Sequence, residues 1–169
     1  GTETGLALFN TKTGDFKLYN ASNTNFSNEV IKTIYHASDS VLWLGTDFGL
    51  HLFDVQEESV TAYFHDPLIN NTIANNVLWQ IMEDSKERVW LITSGGVSIA
   101  NKSEPYYHLH EEFFSNKEPR IGNQIRDILT DRSGNVWLAT IHGVVKKNEE
   151  TGRRTTYSST SQTENKVLL

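Results

Sequence analysis

The sequence contains no cysteine and only three prolines among its 169 residues. Without cysteine the chain can form neither a disulfide nor a thiolate metal site, and it fits a reducing or an oxidising compartment equally. It also lacks any apolar run of about 18 residues, so we expect no membrane contact by this segment. The remaining composition, 37% apolar and 21% charged, is that of an ordinary globular protein.

Positive charge is also scarce, because 15 Lys and Arg residues face 21 Asp and Glu residues and give a formal net charge of −6. Binding to nucleic acid requires clustered Lys and Arg against the phosphates. The basic pairs Lys146-Lys147 and Arg153-Arg154 stand among acidic residues, which is typical of solvated strand edges. The sequence therefore predicts no nucleic-acid partner.

The dominant feature that is present is a repeat with a period of 47 residues. The residues that recur at this spacing are Trp43, Trp90 and Trp137; Thr46, Thr93 and Thr140; Gly49, Gly96 and Gly143; and Ile34, Ile81 and Ile128. A partial copy opens the chain as GTETGLALFN (1–10). Agreement at so many positions excludes coincidence, and self-similarity of this period is typical of repeat architectures.

Each repeat has the pattern of four short strands separated by polar turns. The first strands are the apolar segments 28–35, 75–82 and 123–130. The second strand carries the repeated Trp, the third begins at the repeated Gly, and the fourth ends in a Tyr. Short strands with turns at this spacing indicate antiparallel meanders. The pattern predicts an all-β fold, a β-propeller fragment of about three complete four-stranded blades with partial blades at both ends.

We expect a single open propeller arc over residues 1–169. Its parts are a partial blade at 1–20, complete blades at 28–66, 75–113 and 122–160, and the start of a further blade at 165–169. Propellers close their ring to avoid exposed strand edges and apolar blade faces. Because an open arc leaves such faces uncovered, we expect the fragment to self-associate.

The repeated residues have structural explanations. A strand that carries Trp between β-branched or Leu neighbours, apolar on both faces, suits a blade packed between two others. We therefore expect Trp43, Trp90 and Trp137 to lie buried between blades. The repeated Gly is expected in a turn with positive φ, and the hydroxyl of the repeated Thr is expected to bond that turn.

Candidate ligand-binding residues come from the positions at which the repeats differ. Lys32, Trp79 and Arg126 occupy equivalent places on the first strand, which lines the central channel of a propeller. A Trp with two cations could stack on and hydrogen-bond a sugar or an acidic glycan, whereas the alternative is a set of channel side chains with no ligand. The repeat alignment places further candidates at one mouth of this channel, namely Asp47, Phe48, Asn76 and His142.

No catalytic motif is recognisable, since the sequence has no Ser-His-Asp order, nucleophile elbow or phosphate loop. His108 and His110 alternate on one face of an outer strand, a spacing that permits two metal ligands, but a solvated surface is the simpler interpretation. We expect no catalytic residue, no metal site and no cofactor.

The repeat resembles the two-component regulator propeller repeat. That pattern has an Asn, an apolar pair three apart, an acidic residue, a turn, then Leu-Trp-Ile-Gly-Thr, two free positions and Gly-Leu. Residues 65–100 follow it throughout, including the His-Asp-Pro lead-in, and LWLGTDFGLHLFD (42–54) matches its second half. Ile92 and Ala139 replace the Gly before Thr, which indicates variation in close packing.

The resemblance implies the periplasmic sensor region of a hybrid two-component system, in which a propeller ectodomain precedes a transmembrane helix and a histidine kinase. In gut bacteria such sensors commonly respond to oligosaccharides. The resemblance thus implies a non-enzymatic fragment of a receptor that senses an oligosaccharide or another small ligand. A protein-interaction propeller and a propeller polysaccharide lyase or glycosidase are the alternatives.

Overall fold

The computed structural model describes residues 1–69, 72–101, 108–109, 125–141 and 143–158. Its strands are β1 (Leu6–Phe9), β2 (Phe16–Tyr19), β3 (Ile31–His36), β4 (Val41–Thr46), β5 (Leu50–Asp54), β6 (Ser59–Tyr63), β7 (Leu78–Glu83), β8 (Arg88–Thr93), β9 (Gly96–Asn101), β10 (His108–Leu109), β11 (Ile125–Thr130), β12 (Asn135–Thr140), β13 (Gly143–Asn148) and β14 (Arg154–Tyr157). The described ranges contain no helix, and therefore none long and apolar enough to cross a membrane. The segment 165–169, in which the sequence predicts a further blade, lies outside them.

The strands form one hairpin and three four-stranded antiparallel sheets, each with its strands in chain order. We call β1–β2 the N-terminal hairpin, β3–β6 blade 1, β7–β10 blade 2 and β11–β14 blade 3. The hairpin corresponds to the two outer strands of a blade, because Gly5 aligns with the glycine before β5. The predicted all-β propeller architecture is confirmed.

The first strands of blades 1 and 2 begin later than the apolar pattern predicts, at Ile31 and Leu78. The side chain of Asn28 accepts a hydrogen bond from the backbone N–H of Val30, and the side chain of Asn75 accepts the equivalent bond from Val77. Such an Asn-led turn competes with strand pairing. The Asn therefore ends the loop and delays the strand.

The hydrophobic core lies between neighbouring sheets. One cluster joins the N-terminal hairpin to blade 1, a second contains Trp43 and joins blades 1 and 2, and a third contains Trp90 and joins blades 2 and 3. Burial of these apolar faces is the main stabilising contribution, at about 25 cal/mol per Å² removed from water. The repeated apolar strand pattern thus supplies the surfaces through which neighbouring sheets pack.

Burial between blades is confirmed for Trp43 and Trp90, which are 2% and 0% exposed, but not for Trp137. Trp137 is half-buried. Its neighbours Val136 and Leu138 face blade 2, and because side chains alternate along a strand, Trp137 points to the opposite face of blade 3. Its indole lies on the other face of blade 3, where it stacks on Tyr157 with ring centroids 5.9 Å apart.

The turn between the second and third strands has the same construction in every blade. The hydroxyl of the repeated Thr donates to the carbonyl of the repeated Gly at 2.9, 2.8 and 3.0 Å in blades 1, 2 and 3. These glycines have φ of 100°, 140° and 137°, in the region that favours glycine. Both expectations for this turn are confirmed, and in blade 1 residues 47 and 48 lie within it.

Candidate functional site

A β-bulge interrupts the innermost strand of each blade at the same point. The pairing of the first with the second strand skips one residue, which is Lys32 in blade 1, Trp79 in blade 2 and Arg126 in blade 3. A bulge residue has no partner opposite it, and its side chain is re-aimed relative to the ladder. The three candidates from the sequence are therefore the three bulge residues, which we call the bulge cluster.

Hydrogen bonds between blades hold the bulges next to one another. Thr33, which follows the bulge in blade 1, accepts a bond from the backbone N–H of Ile81 in blade 2 at 3.4 Å. Gln80, which follows the next bulge, accepts one from the backbone N–H of Ile128 in blade 3 at 2.8 Å. The first strands of blades 1 and 2 are thus each tied to the next first strand immediately beside the bulge.

Both cations of the bulge cluster lie within cation–π distance of the same aromatic ring. The Nζ atom of Lys32 lies 3.8 Å from the ring centroid of Trp79, and the Cζ atom of Arg126 lies 5.0 Å from it. Both distances are within the range of about 6 Å at which a cation is attracted to an indole face. The structure therefore brings together the three residues that the repeat comparison singled out.

Two turn residues complete the site. Asp47, a candidate from the sequence, forms an ion pair with Lys32. Ser94 accepts a hydrogen bond from the indole Nε1–H of Trp79 at 3.0 Å and so fixes the plane of the ring. Ser94 stands 47 residues after Asp47, so the repeat gives it the equivalent place on the turn of blade 2.

The two cations of the cluster differ in their partners. Lys32 is paired with Asp47, whereas Arg126 is exposed and forms no ion pair with any residue in the described part of the chain. The neighbouring carboxylate of Asp127 accepts the backbone N–H of Ile128 at 2.9 Å. The site therefore carries an excess of positive charge at the surface of an acidic chain.

Two of the remaining candidates, Asn76 and Phe48, make their described contacts outside the cluster. Asn76 fastens the loop between blades, because its side chain accepts the backbone N–H of His65 and its carbonyl accepts that of Gly49, both at 2.7 Å. Phe48 is half-exposed and packs against Phe64 at 5.2 Å between ring centroids. His142 lies outside the described residues.

The structure also contains a Ser–His contact that the sequence did not reveal. Ser27 Oγ lies 2.6 Å from Nε2 of His51, which is fully buried, and burial lowers the pKa of that imidazole to about 4. An imidazole with this pKa is a weak base near neutral pH. At the equivalent place in blade 2, Ser98 accepts the backbone N–H of Ala74 at 2.9 Å. We infer that His51, like Ser98, fastens the segment before the first strand.

Metal-binding side chains are not grouped in the described ranges, where no three His, Cys, Asp or Glu side chains lie together as a metal ion would require. Of the predicted histidine pair, only the strand position of His108, opposite Ile99, is described. His110 lies outside the described residues.

Three antiparallel four-stranded sheets packed face to face define this chain as part of a β-propeller. Residues 119–142 match the family model described as two component regulator propeller, which confirms the resemblance drawn from the repeats. A search of curated protein sequences gave no match.

Solved structures share the fold across nearly the whole chain. The extracellular domain of BT3049 of Bacteroides thetaiotaomicron, described as a hybrid two component system, matches 97% of this chain with 20% identity and a TM-score of 0.74. The extracellular domain of BT4673 of the same organism matches 92% with 24% identity and a TM-score of 0.71. Virginiamycin B lyase of Staphylococcus aureus matches 94% with 11% identity and a TM-score of 0.60, over 49% of that protein.

This chain spans 20% and 23% of the two extracellular domains that it matches. The TM-scores of these matches establish a common fold, and identities in this range show no more than that. They leave the activity of the larger proteins to be treated as a proposal for this one.

Proposed function

We propose that this chain is part of the ligand-sensing propeller of a hybrid two-component signalling receptor, located in the periplasm, and that it senses an oligosaccharide. The observation that carries the signalling role is the match of residues 119–142 to the two component regulator propeller family model. The likeness to extracellular domains of such systems supports the location.

The bulge cluster and its two turn residues support a binding role rather than a catalytic one. Lys32, Asp47, Trp79, Ser94 and Arg126 supply cations, a carboxylate, an indole and a hydroxyl within one small area. A few convergent polar groups around an aromatic ring are characteristic of ligand sites. The bulges that present these residues are common next to functional sites, and the rest of each blade continues as regular sheet.

An enzymatic role is the alternative with a specific observation in its favour, the shared fold with virginiamycin B lyase. Fold alone does not transfer chemistry at 11% identity. In the described residues, the closest approach to a nucleophile and base is Ser27 with His51, and the depressed pKa of His51 disfavours that use. We therefore expect no lyase or glycosidase activity. A protein-interaction propeller is the remaining alternative.

Two measurements test the proposal. The gene that encodes this chain should continue into a transmembrane segment and a histidine kinase, and a stop codon soon after the propeller would contradict the receptor role. A panel of oligosaccharides should yield binding by calorimetry without release of reducing ends. Release of new reducing ends that a single carboxylate substitution abolishes would establish an enzyme instead.

A further inference from the structure

We propose that the bulge cluster binds the anionic group of an acidic saccharide, a carboxylate or a sulfate, and that Asp47 competes with this group for Lys32. The inference rests on the proposed function and specifies the ligand class that the same site accepts. It follows from the charges, the geometry and the exposure of five side chains.

The first argument is charge balance. Within the described residues the bulge cluster has two cations, Lys32 and Arg126, and Asp47 is the one carboxylate paired with it. The guanidinium of Arg126 is exposed and has an aromatic neighbour but no carboxylate partner there. Guanidinium groups bind carboxylate and sulfate-like oxyanions through two parallel hydrogen bonds. An anion is therefore the group that this surface complements.

The second argument concerns Trp79. An indole that binds a neutral sugar offers an open face for stacking, but here both cations lie over the ring. Its Nε1–H is committed to Ser94 at 3.0 Å. Trp79 therefore already makes cation–π contacts with both Lys32 and Arg126. Recognition by this site should depend on charge more than on stacking.

The third argument concerns the strength of the existing ion pair. The side chains of Lys32 and Asp47 are 20% and 44% exposed. A partly exposed ion pair of this kind is weak, so a ligand anion can replace the Asp47 carboxylate at low cost. Because Asp47 lies on the turn beside Phe48, which packs on Phe64, such replacement would also loosen this turn from Lys32.

The test uses the 169-residue chain and three variants. Arg126→Gln removes the unpaired cation, and Asp47→Asn removes the competing carboxylate. Glu58→Gln is the matched control, because its carboxylate is 45% exposed and forms a comparable ion pair with Lys17 on the N-terminal hairpin. Folding of each variant is verified by thermal unfolding.

The probes are trigalacturonate and its methyl ester, and a chondroitin sulfate disaccharide with its desulfated form. Titration calorimetry up to about 10 mM ligand covers the range expected for a small charged site. The ester pair isolates the carboxylate, and the desulfated pair isolates the sulfate. A set of neutral oligosaccharides is measured in parallel.

We expect an acidic probe to bind and its neutral counterpart to bind at least tenfold more weakly. Arg126→Gln should weaken binding about tenfold, Asp47→Asn should strengthen it about three- to fivefold, and Glu58→Gln should leave it unchanged. Weaker binding in both site variants would overturn the competing role of Asp47. Binding of neutral oligosaccharides without preference for charge would overturn this inference and leave the proposed function intact, whereas no binding by any saccharide would contradict both.

Discussion

Two sets of positions recur every 47 residues in this chain, and they differ in what they tolerate. Trp43, Trp90 and Trp137 are identical, whereas the bulge positions carry Lys, Trp and Arg. Each constant Trp lies on a regular strand, where the packing surface of the blade fixes its shape. A bulge residue has no partner in the strand pairing, so packing against the neighbouring blade does not determine which residue type stands there. The repeat thus separates a constant framework from a variable mouth.

The second comparison is between Trp90 and Trp137, which share their local bonds but not their burial. The indole of Trp90 donates to Asp84 at 2.9 Å, and that of Trp137 donates to Asp131 at 2.8 Å. Only Trp90 is covered by a neighbouring described sheet. In blades 2 and 3 the hydrogen bond thus forms within the blade itself, whereas burial of the indole is supplied by the next blade.

The largest expected effect is a difference in stability between a framework substitution and a substitution in the bulge cluster. Trp90→Ala leaves a cavity in the cluster between blades 2 and 3 and should lower the free energy of unfolding by about 3–5 kcal/mol. Trp79→Ala should cost about 1–2 kcal/mol, because this ring is half-buried at the mouth. Urea unfolding measures both values. Equal losses would contradict the division between framework and mouth.

The next effect depends on pH and on His51. Its folded-state pKa of about 4 lies below the unfolded value of 6.5, so the unfolded chain binds the proton more readily. Stability from the neutral imidazole is therefore complete above pH 6.5 and is lost as pH falls toward 4, by on the order of 3 kcal/mol. His51→Gln should lose less stability over this range. Identical urea midpoints against pH for both proteins would refute the burial of a neutral His51.

A smaller effect concerns the two Asp–Trp bonds. Burial raises the pKa of Asp84, but hydrogen bonds from Trp90 and Arg88 outweigh burial and lower it overall. Hydrogen bonds from Trp137 and Asn135 lower the pKa of Asp131. Both carboxylates thus stabilise the fold above their unfolded pKa of 3.8, and this stability is lost as pH falls below that value.

Asp84→Asn should lower Tm by about 5 °C, and Asp131→Asn should lower it by less. The reason is that Asp84 also pairs with Arg88, which in turn binds Glu149 of blade 3 at 2.8 Å. Calorimetric melting at pH 7 compares the two. A larger loss for Asp131→Asn would contradict the role of this link between blades.

The smallest effect on stability concerns the outer face of blade 3. Leu129, which pairs with Trp137, is 53% exposed there. We predict self-association of the chain through this face, and Leu129→Glu should reduce it while changing stability by less than about 0.5 kcal/mol. Light scattering at concentrations up to roughly 100 µM is the measurement. Leu68→Glu, at a 92% exposed loop position, is the control, and a monomeric wild-type chain would refute the prediction.

The sequence was sufficient to predict the fold because its signals repeat. Strand order, the Thr–Gly turn and the burial of Trp43 and Trp90 all follow from a pattern that occurs three times. The pattern did not predict the half-exposure of Trp137, because burial of this residue requires a neighbouring sheet on its own face of blade 3.

The site was predicted only in part. Equivalent spacing identified Lys32, Trp79 and Arg126, but spacing alone cannot reveal a bulge, which requires the register of two strands. Their meeting depends on bonds from Thr33 and Gln80 to the next blade, a three-dimensional arrangement. The hydrogen bonds with which Asn76 fastens a loop likewise depend on the three-dimensional arrangement, and its part in ligand binding stays a prediction.

The most direct test of the account follows the indole N–H resonances of its four tryptophans by NMR during titration with an acidic saccharide. Trp79 carries the cations of the proposed site, whereas Trp43 and Trp90 lie in the framework and Trp137 lies on the outer face of blade 3. We predict that the Trp79 resonance shifts in the wild-type chain, that the other three stay in place, and that Arg126→Gln suppresses the shift. A ligand-dependent shift at Trp137 with none at Trp79 would contradict the assignment of ligand binding to the bulge cluster.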